Sequence, residues 1–192
     1  MFRKTFNDLD VLTASAPGWD VDFRRVRPGP FHGEIRVLGS TRGQILDAAF
    51  DTPVDQSGYS PPGVVTMAFG QSTGLDTRWR GREVGPEPVI VFRPDREFET
   101  FSGPAFTVRT ISLPLDLLAE RAQLLGLPTW EELVGDGEVL EAGGELALLR
   151  STTSSLLSAS RANPALAGSV AGTHAIEEEI PDPVSYTHLT LP

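Results

Sequence analysis

The sequence predicts a mainly β fold with helices. A small barrel or sandwich of short strands comes first, and helices follow it. Three observations lead there. Gly 19 and Pro 16 make up about 18% of the 192 residues, against a usual ~12%, so turns are frequent. Apolar residues alternate with polar ones in short runs, the period of a half-buried strand. Turn signals break these runs about every ten residues until Leu113, after which the apolar spacing lengthens to that of a helix.

The elements follow in order. Residues 6–16 read as a short helix, with Asn7 or Asp8 as N-cap and Pro17-Gly18 as its stop. Trp19, Val21 and Phe23 alternate with Asp20, Asp22 and Arg24, which predicts a strand. Arg27-Pro28-Gly29-Pro30 is a turn. Residues 31–38 and 43–51 are the next strands, marked by Ile35 and Val37, then by Ile45 and Ala49. Residues 57–63 form a turn cluster. Strands at 64–69, 78–84, 88–93, 97–101 and 105–113 complete the series. Pro114 suits a first helical turn, and Leu115, Leu118, Ala119, Ala122 and Leu125 keep helical spacing up to Gly126. Thr129 and Glu132 have the spacing of a capping box. Residues 145–162 predict a second amphipathic helix, ended by Asn163-Pro164. Residues 163–183 read as a connector.

Composition excludes several classes. The formal net charge of −10 makes the chain a poor phosphate binder by itself. With no Cys, disulfides and thiolate metal sites are impossible. The basic start MFRK lacks the apolar run of a signal peptide, and no stretch approaches ~18 consecutive apolar residues. A cytoplasmic location and no membrane partner are therefore expected.

Few residues carry a chemical signal. Gly70-Gln71-Ser72-Thr73-Gly74 matches the G-x-S-x-G nucleophile elbow, but the residues after it do not predict the required helix. A Gly-flanked turn is the better reading of Ser72. The three histidines are His32, His174 and His188, and only His32 lies in the strand region. One imidazole cannot build a His-rich metal site of the kind found in metal-dependent cupins, so no metal or cofactor is expected. His174 and Glu177, like Asp20 and Asp22, read as solvated polar faces. There is no phosphate-binding glycine motif. Arginines are the exception. Arg36, Arg93 and Arg109, with Trp79 between Arg78 and Arg80, lie in or beside strands. Guanidinium and aromatic groups at a barrel mouth suit a small ligand, so Arg36, Trp79, Arg93 and Arg109 are the candidate ligand residues.

The order of elements resembles a known family. Phe6-Asn7-Asp8 leads to Trp19, then to the turn Gly29-Pro30-Phe31-His32-Gly33, a run of short strands, and a helix from Pro114. This resembles the N-terminal regulatory domain of AraC-family transcription regulators over roughly residues 5–160. The resemblance implies a cupin-like (double-stranded β-helix) barrel followed by C-terminal helices, in a cytoplasmic bacterial protein. It implies a small-molecule effector, a homodimer, and DNA contact only through a helix-turn-helix domain that follows.

A second resemblance concerns residues 184–192. VSYTHLTLP matches a translated sequencing adapter, so these residues are expected to be non-native, with the native sequence beyond about residue 183 lost. The expected organisation is a regulatory domain at 1–162, a connector at 163–183 and an adapter-derived tail at 184–192. The leading expectation is thus a truncated regulator without its DNA-binding half, and not an enzyme. A small metal-independent cupin-like isomerase is the alternative, and a hydrolase using Ser72 is a weaker one.

Overall fold

The computed structural model describes residues 2–15, 18–70, 77–85, 87–130, 132, 138–140, 144–163, 165–166, 169–181 and 184. The strands are β1 Phe2–Phe6, β2 Asp20–Arg25, β3 Gly33–Gly39, β4 Gln44–Phe50, β5 Val54–Tyr59 and β6 Val64–Gly70. They continue with β7 Thr77–Trp79, β8 Arg82–Val84, β9 Val89–Phe92, β10 Glu97–Ser102, β11 Phe106–Pro114 and β12 Val139–Leu140. The helices are α1 Leu9–Thr13, α2 Leu115–Leu125, α3 Gly144–Ala162 and α4 Val170–His174, the last running into a π-helical turn at Ala175–Glu179.

The strands form two antiparallel sheets. The larger has seven strands in the order β1-β3-β4-β11-β6-β9-β12, and the smaller has five, β2-β5-β10-β7-β8. Their inner faces share apolar clusters: Val21 and Phe98 of the small sheet pack with Ala68 and Ile90 of the large one. This is the expected cupin-like barrel. The outer face of the large sheet is apolar too. Ile45, Val65, Met67, Phe69, Ile111 and Leu113 pack there with Leu117 and Leu118 of α2 and with Leu149 and Leu157 of α3. The period-2 alternation of a strand therefore serves two apolar compartments, an inner one between sheets and an outer one under helices.

Local chemistry explains several boundaries. Asp8 caps α1 by accepting from the Asp10 N–H at 3.0 Å. Gly126 ends α2 in the left-handed conformation, φ 66°, where its N–H meets the last carbonyls. Thr129 and Glu132 form the expected reciprocal box: the Thr129 N–H donates to Glu132 at 2.8 Å and the Glu132 N–H to the Thr129 hydroxyl at 3.4 Å. That box sets Trp130 into the outer core.

The structure departs from the sequence expectations in four places. The N-terminal helix is shorter, because residues 2–6 instead form β1, paired along its whole length with β3 from Phe2↔Val37 to Phe6↔Gly33. The turn cluster at 57–63 begins later, since β5 runs through Tyr59. The single strand at 78–84 is a hairpin, β7 and β8, turned by Arg80 at φ 49° and Gly81 at φ 75°. Paired positive φ values are those of the tight turn that suits strand twist. Finally, β12 adds to the edge of β9, and residues 170–180 fold as α4 and its π turn, with Ile176 and Ile180 buried in the outer core. Of the tail, only Val184 is described, and it is buried in that same core.

Gly58 explains why a glycine-containing segment is a strand. β5 pairs β2 on one side and β10 on the other, and a Cβ at Gly58 would lie 1.8 Å from the Asp20 carbonyl oxygen. Its φ of 154° is also one that L side chains rarely adopt. We expect Gly58→Ala to destabilise the fold by about 3 kcal/mol or more, read as a lower urea midpoint. A midpoint unchanged from the parent would show that β2 and β5 are not this close.

Candidate ligand cavity

The inward positions of both sheets line a cavity of about 340 Å³ that is partly open to solvent. The large sheet contributes Ile35, Val37, Leu46, Ala48, Val108 and Thr110, and the small sheet contributes Phe23, Gln56, Phe98, Thr100 and Ser102. Phe2, Leu12 and Ser15 form part of the lining from β1 and α1, and Phe2 is 53% exposed. Trp19 meets Phe92 and Phe98 edge-to-face, with ring centroids 5.3 and 5.6 Å apart. Small residues Ala48 and Ala68 leave the space that larger side chains would fill.

Polar groups in this wall are neutral. The Gln56 amide donates to the Ser102 hydroxyl at 2.8 Å, and Thr66 and Ser112 share a buried hydrogen bond of 2.8 Å. The Thr77 hydroxyl is buried and has no partner among the described residues. An unpaired buried hydroxyl of this kind costs about 1–3 kcal/mol. Among the described residues, no Asp, Glu, His, Lys or Arg lines the cavity. Nor do three or more His, Cys, Asp or Glu gather anywhere among the described residues as a metal would need. A wall of this kind can bind and orient a molecule; it offers no side chain that exchanges protons near neutral pH.

The four candidate ligand residues do not converge. Arg109 lies on the outer face, between α3 and β4. Its guanidinium holds Asp47 bidentately at 2.7 and 3.1 Å and donates to the Ser154 hydroxyl at 2.6 Å. Arg161, near the end of α3, reaches the same Asp47 at 3.4 Å. Arg36 shares this charged outer cleft of about 300 Å³ and pairs with Glu34, which also binds Arg3. Trp79 stands behind the aromatic wall, parallel to Phe98 at 6.3 Å, with its indole N–H given to Glu138 at 2.9 Å. Arg93 is half-buried beyond β9; its Nε and Nη2 have no hydrogen-bond partner among the described residues. None of the four lines the inner cavity. His32 is exposed, with Nδ1 3.1 Å from the Asn7 side-chain oxygen, and His174 is exposed on α4. Asp20 and Asp22 lie on the exposed face of β2. Ser72 lies outside the described residues. Trp19, Phe92 and Phe106 are legible in the sequence as core or pocket lining, but the small and polar cavity residues are not. Their signal was a hydroxyl, amide or alanine at inward strand positions, as at Gln44, Ala48, Thr110 and Ser112.

No family model and no curated protein sequence matches the chain. Solved structures are similar to it in fold. The AraC-like transcriptional activator CuxR aligns with a TM-score of 0.68 at 18% identity, over 99% of this chain and 71% of CuxR. KdgF from Halomonas sp. aligns at TM-score 0.35 and 13% identity, over 48% of this chain and 86% of KdgF. The Schizosaccharomyces pombe Cnp3 cupin domain aligns at TM-score 0.37 and 6% identity, over 51% of this chain and 74% of that domain. With CuxR the likeness of fold spans barrel and helices together.

Two outcomes test the outer cluster. Arg109→Met leaves Asp47 with a poorer partner in a largely buried place, and we expect a loss of about 3 kcal/mol in unfolding free energy. The double variant Asp47→Asn with Arg109→Met should lose less than the two single losses added, and additivity in that cycle would show no coupling. Acid titration tests the carboxylates. The Glu34 carboxyl is held below its ordinary value chiefly by its hydrogen bond from Arg3, with Arg36 adding to it. Glu177 is lowered by the Ser40 hydroxyl first, then by Thr41 and the Arg42 N–H. Lowered folded-state values mean that this stability is present above about pH 4.3 and is lost as pH falls through them. We expect Glu34→Gln to flatten the fall in thermal midpoint below about pH 4.3; an unchanged slope would count against the pairing.

Proposed function

We propose that this chain is the effector-sensing and dimerisation part of an AraC-type transcription regulator. The observation that carries this reading is the fold likeness to the AraC-like activator CuxR across barrel and trailing helices. The barrel cavity, with its neutral described lining, supports a sensing role. In this reading a small effector enters the barrel. Apolar side chains such as Leu124, 75% exposed, and Leu148, 56% exposed, become covered in a homodimer. Residues 163–183 lead toward a helix-turn-helix domain that makes the DNA contacts, 184–192 are adapter-derived, and the regulator works in the cytoplasm. The net charge of −10 is consistent with DNA contact lying elsewhere. Among the four arginine and tryptophan candidates, Trp79 supports the ligand wall from behind, while Arg36 and Arg109 hold the outer face; Arg93 stands beside Phe92 at the cavity's aromatic end.

The isomerase alternative would need an acid or base facing the cavity, and the described wall supplies none.

The uninterrupted gene tests the proposal. We expect about 100 further codons beyond residue 183 carrying a helix-turn-helix pattern. A frame that closes soon after codon 183 would overturn it. Residues 1–183 alone should show no specific retention of promoter DNA at about 150 mM salt, and tight specific binding would move the DNA-reading role into this domain.

A further inference from the structure

We propose that the charged outer cleft over β3, β4 and β11 binds a small phosphoryl dianion, either inorganic phosphate or a phosphate monoester. This site is separate from the barrel cavity and stands independently of the sensor reading. Strand register builds it. On the outer face of the large sheet, Arg3 lies opposite Arg36, Arg36 opposite Asp47, and Asp47 opposite Arg109. The next row runs Thr5, Glu34, Ala49 and Thr107. α3 adds Arg161, whose Nη2 lies 3.4 Å from Asp47.

Charge is the first ground. Like charges directly opposite each other on neighbouring strands, as Arg3 and Arg36 are, destabilise the pair. Glu34 is shared between those two arginines, and Asp47 between Arg109 and Arg161. Four guanidiniums therefore meet two carboxylates, which leaves an excess of two positive charges in a chain of formal net charge −10. A dianion supplies the two missing charges. The acidic remainder of the chain repels anions in general, so attraction here is local.

Open donors are the second ground. Arg36 gives its Nε to Glu34, and Arg161 gives its Nη2 to Asp47. Among the described residues, no other hydrogen bond takes up either guanidinium, and none takes up the Thr107 hydroxyl. None of these three groups is sealed from solvent, and all three residues line the cleft of about 300 Å³. The Arg36 and Arg161 side chains are 29% and 46% exposed, so a solute reaches them. Ala49, between Glu34 and Thr107 in the register, leaves room on the floor. Arg109 is spent on Asp47 and Ser154, so it positions Asp47 and leaves the guest to Arg36, Arg161 and Thr107. A guanidinium fork matches phosphoryl oxygens, and three such oxygens can use donors from several sides, which a two-oxygen carboxylate cannot. The volume suits a small molecule.

Calorimetry on the full 192-residue chain tests this with inorganic phosphate, phenyl phosphate, dimethyl phosphate and succinate, at about pH 7.5 and fixed ionic strength. We expect saturable binding of inorganic phosphate or phenyl phosphate with a Kd below about 1 mM. The tighter of the two names the source, free phosphate or an organic monoester. Dimethyl phosphate, a monoanion, and succinate, a dianion without a phosphoryl group, should bind at least about tenfold more weakly. Arg36→Gln and Arg161→Gln should each weaken the better phosphate about tenfold, and Thr107→Val about threefold. Arg24→Gln removes the same charge from the exposed face of β2 and should bind like the parent. Circular dichroism checks the fold of each variant; if Arg36→Gln unfolds, Arg161→Gln and Thr107→Val carry the test. No saturable binding of either phosphate, dimethyl phosphate or succinate binding as tightly as they do, or Arg161→Gln binding like the parent overturns the site.

Discussion

The two-faced alternation of β11 is the constraint on which the rest of the structure depends. Phe106, Val108, Thr110 and Ser112 point into the barrel, while Arg109, Ile111 and Leu113 point under the helices. β11 sits in the middle of the large sheet, between β4 and β6, so its register fixes both neighbours. A slip of one residue would place Arg109 in the cavity and Thr110 in the outer core. Both outcomes are costly, since a guanidinium would lose Asp47 and an apolar layer would gain a hydroxyl. One strand thus ties the placement of the helices to the shape of the cavity.

Much of this layout was legible in the sequence, for a physical reason. Strands with one polar face advertise themselves, as Trp19, Val21 and Phe23 do in β2. Strands buried on both faces, such as β6, show as apolar runs. The helices followed from leucine spacing and from Gly126. What stayed hidden were features set by pairing partners. β1 has only Phe2 and Phe6 as apolar markers, and it is a strand because β3 offers it an edge. β5 carries Ser57-Gly58, a turn signal, and is a strand because only glycine lets Asp20 come so close. The cavity was hidden more deeply. Inward hydroxyls and alanines resemble surface positions in a one-dimensional pattern, whereas arginines draw notice although here Arg109 and Arg36 serve the outer face.

Charge is sorted by face with the same economy. The small sheet turns Asp20, Asp22, Asp55, Glu97 and Glu99 outward. Asp20 and Glu97 are separated by Tyr59, and Asp22 and Glu99 by Ser57, because β5 lies between β2 and β10. Carboxylates therefore do not stand directly opposite each other, which keeps an acidic face from repelling itself apart. β2 is also an edge strand, and its row of charges discourages pairing with another chain. The acidic surplus accumulates where water screens it, and the described cavity wall is left neutral.

The cavity and the outer charged cluster are separated by the thickness of one sheet. Leu46 and Ala48 of β4 face the cavity, and Asp47 between them faces α3. Val108 and Thr110 of β11 do the same around Arg109. Those two strands pair directly, Arg109 opposite Asp47. A guest that altered the spacing of β4 and β11 would alter the geometry of the bidentate pair on the other side. That pair is also where α3 is held, through Ser154 and Arg161. Close-packed interiors transmit such shifts, because side chains have no slack to absorb them. The register that keeps Arg109 out of the cavity is therefore the same register that places the helix anchor one residue away from whatever the cavity holds.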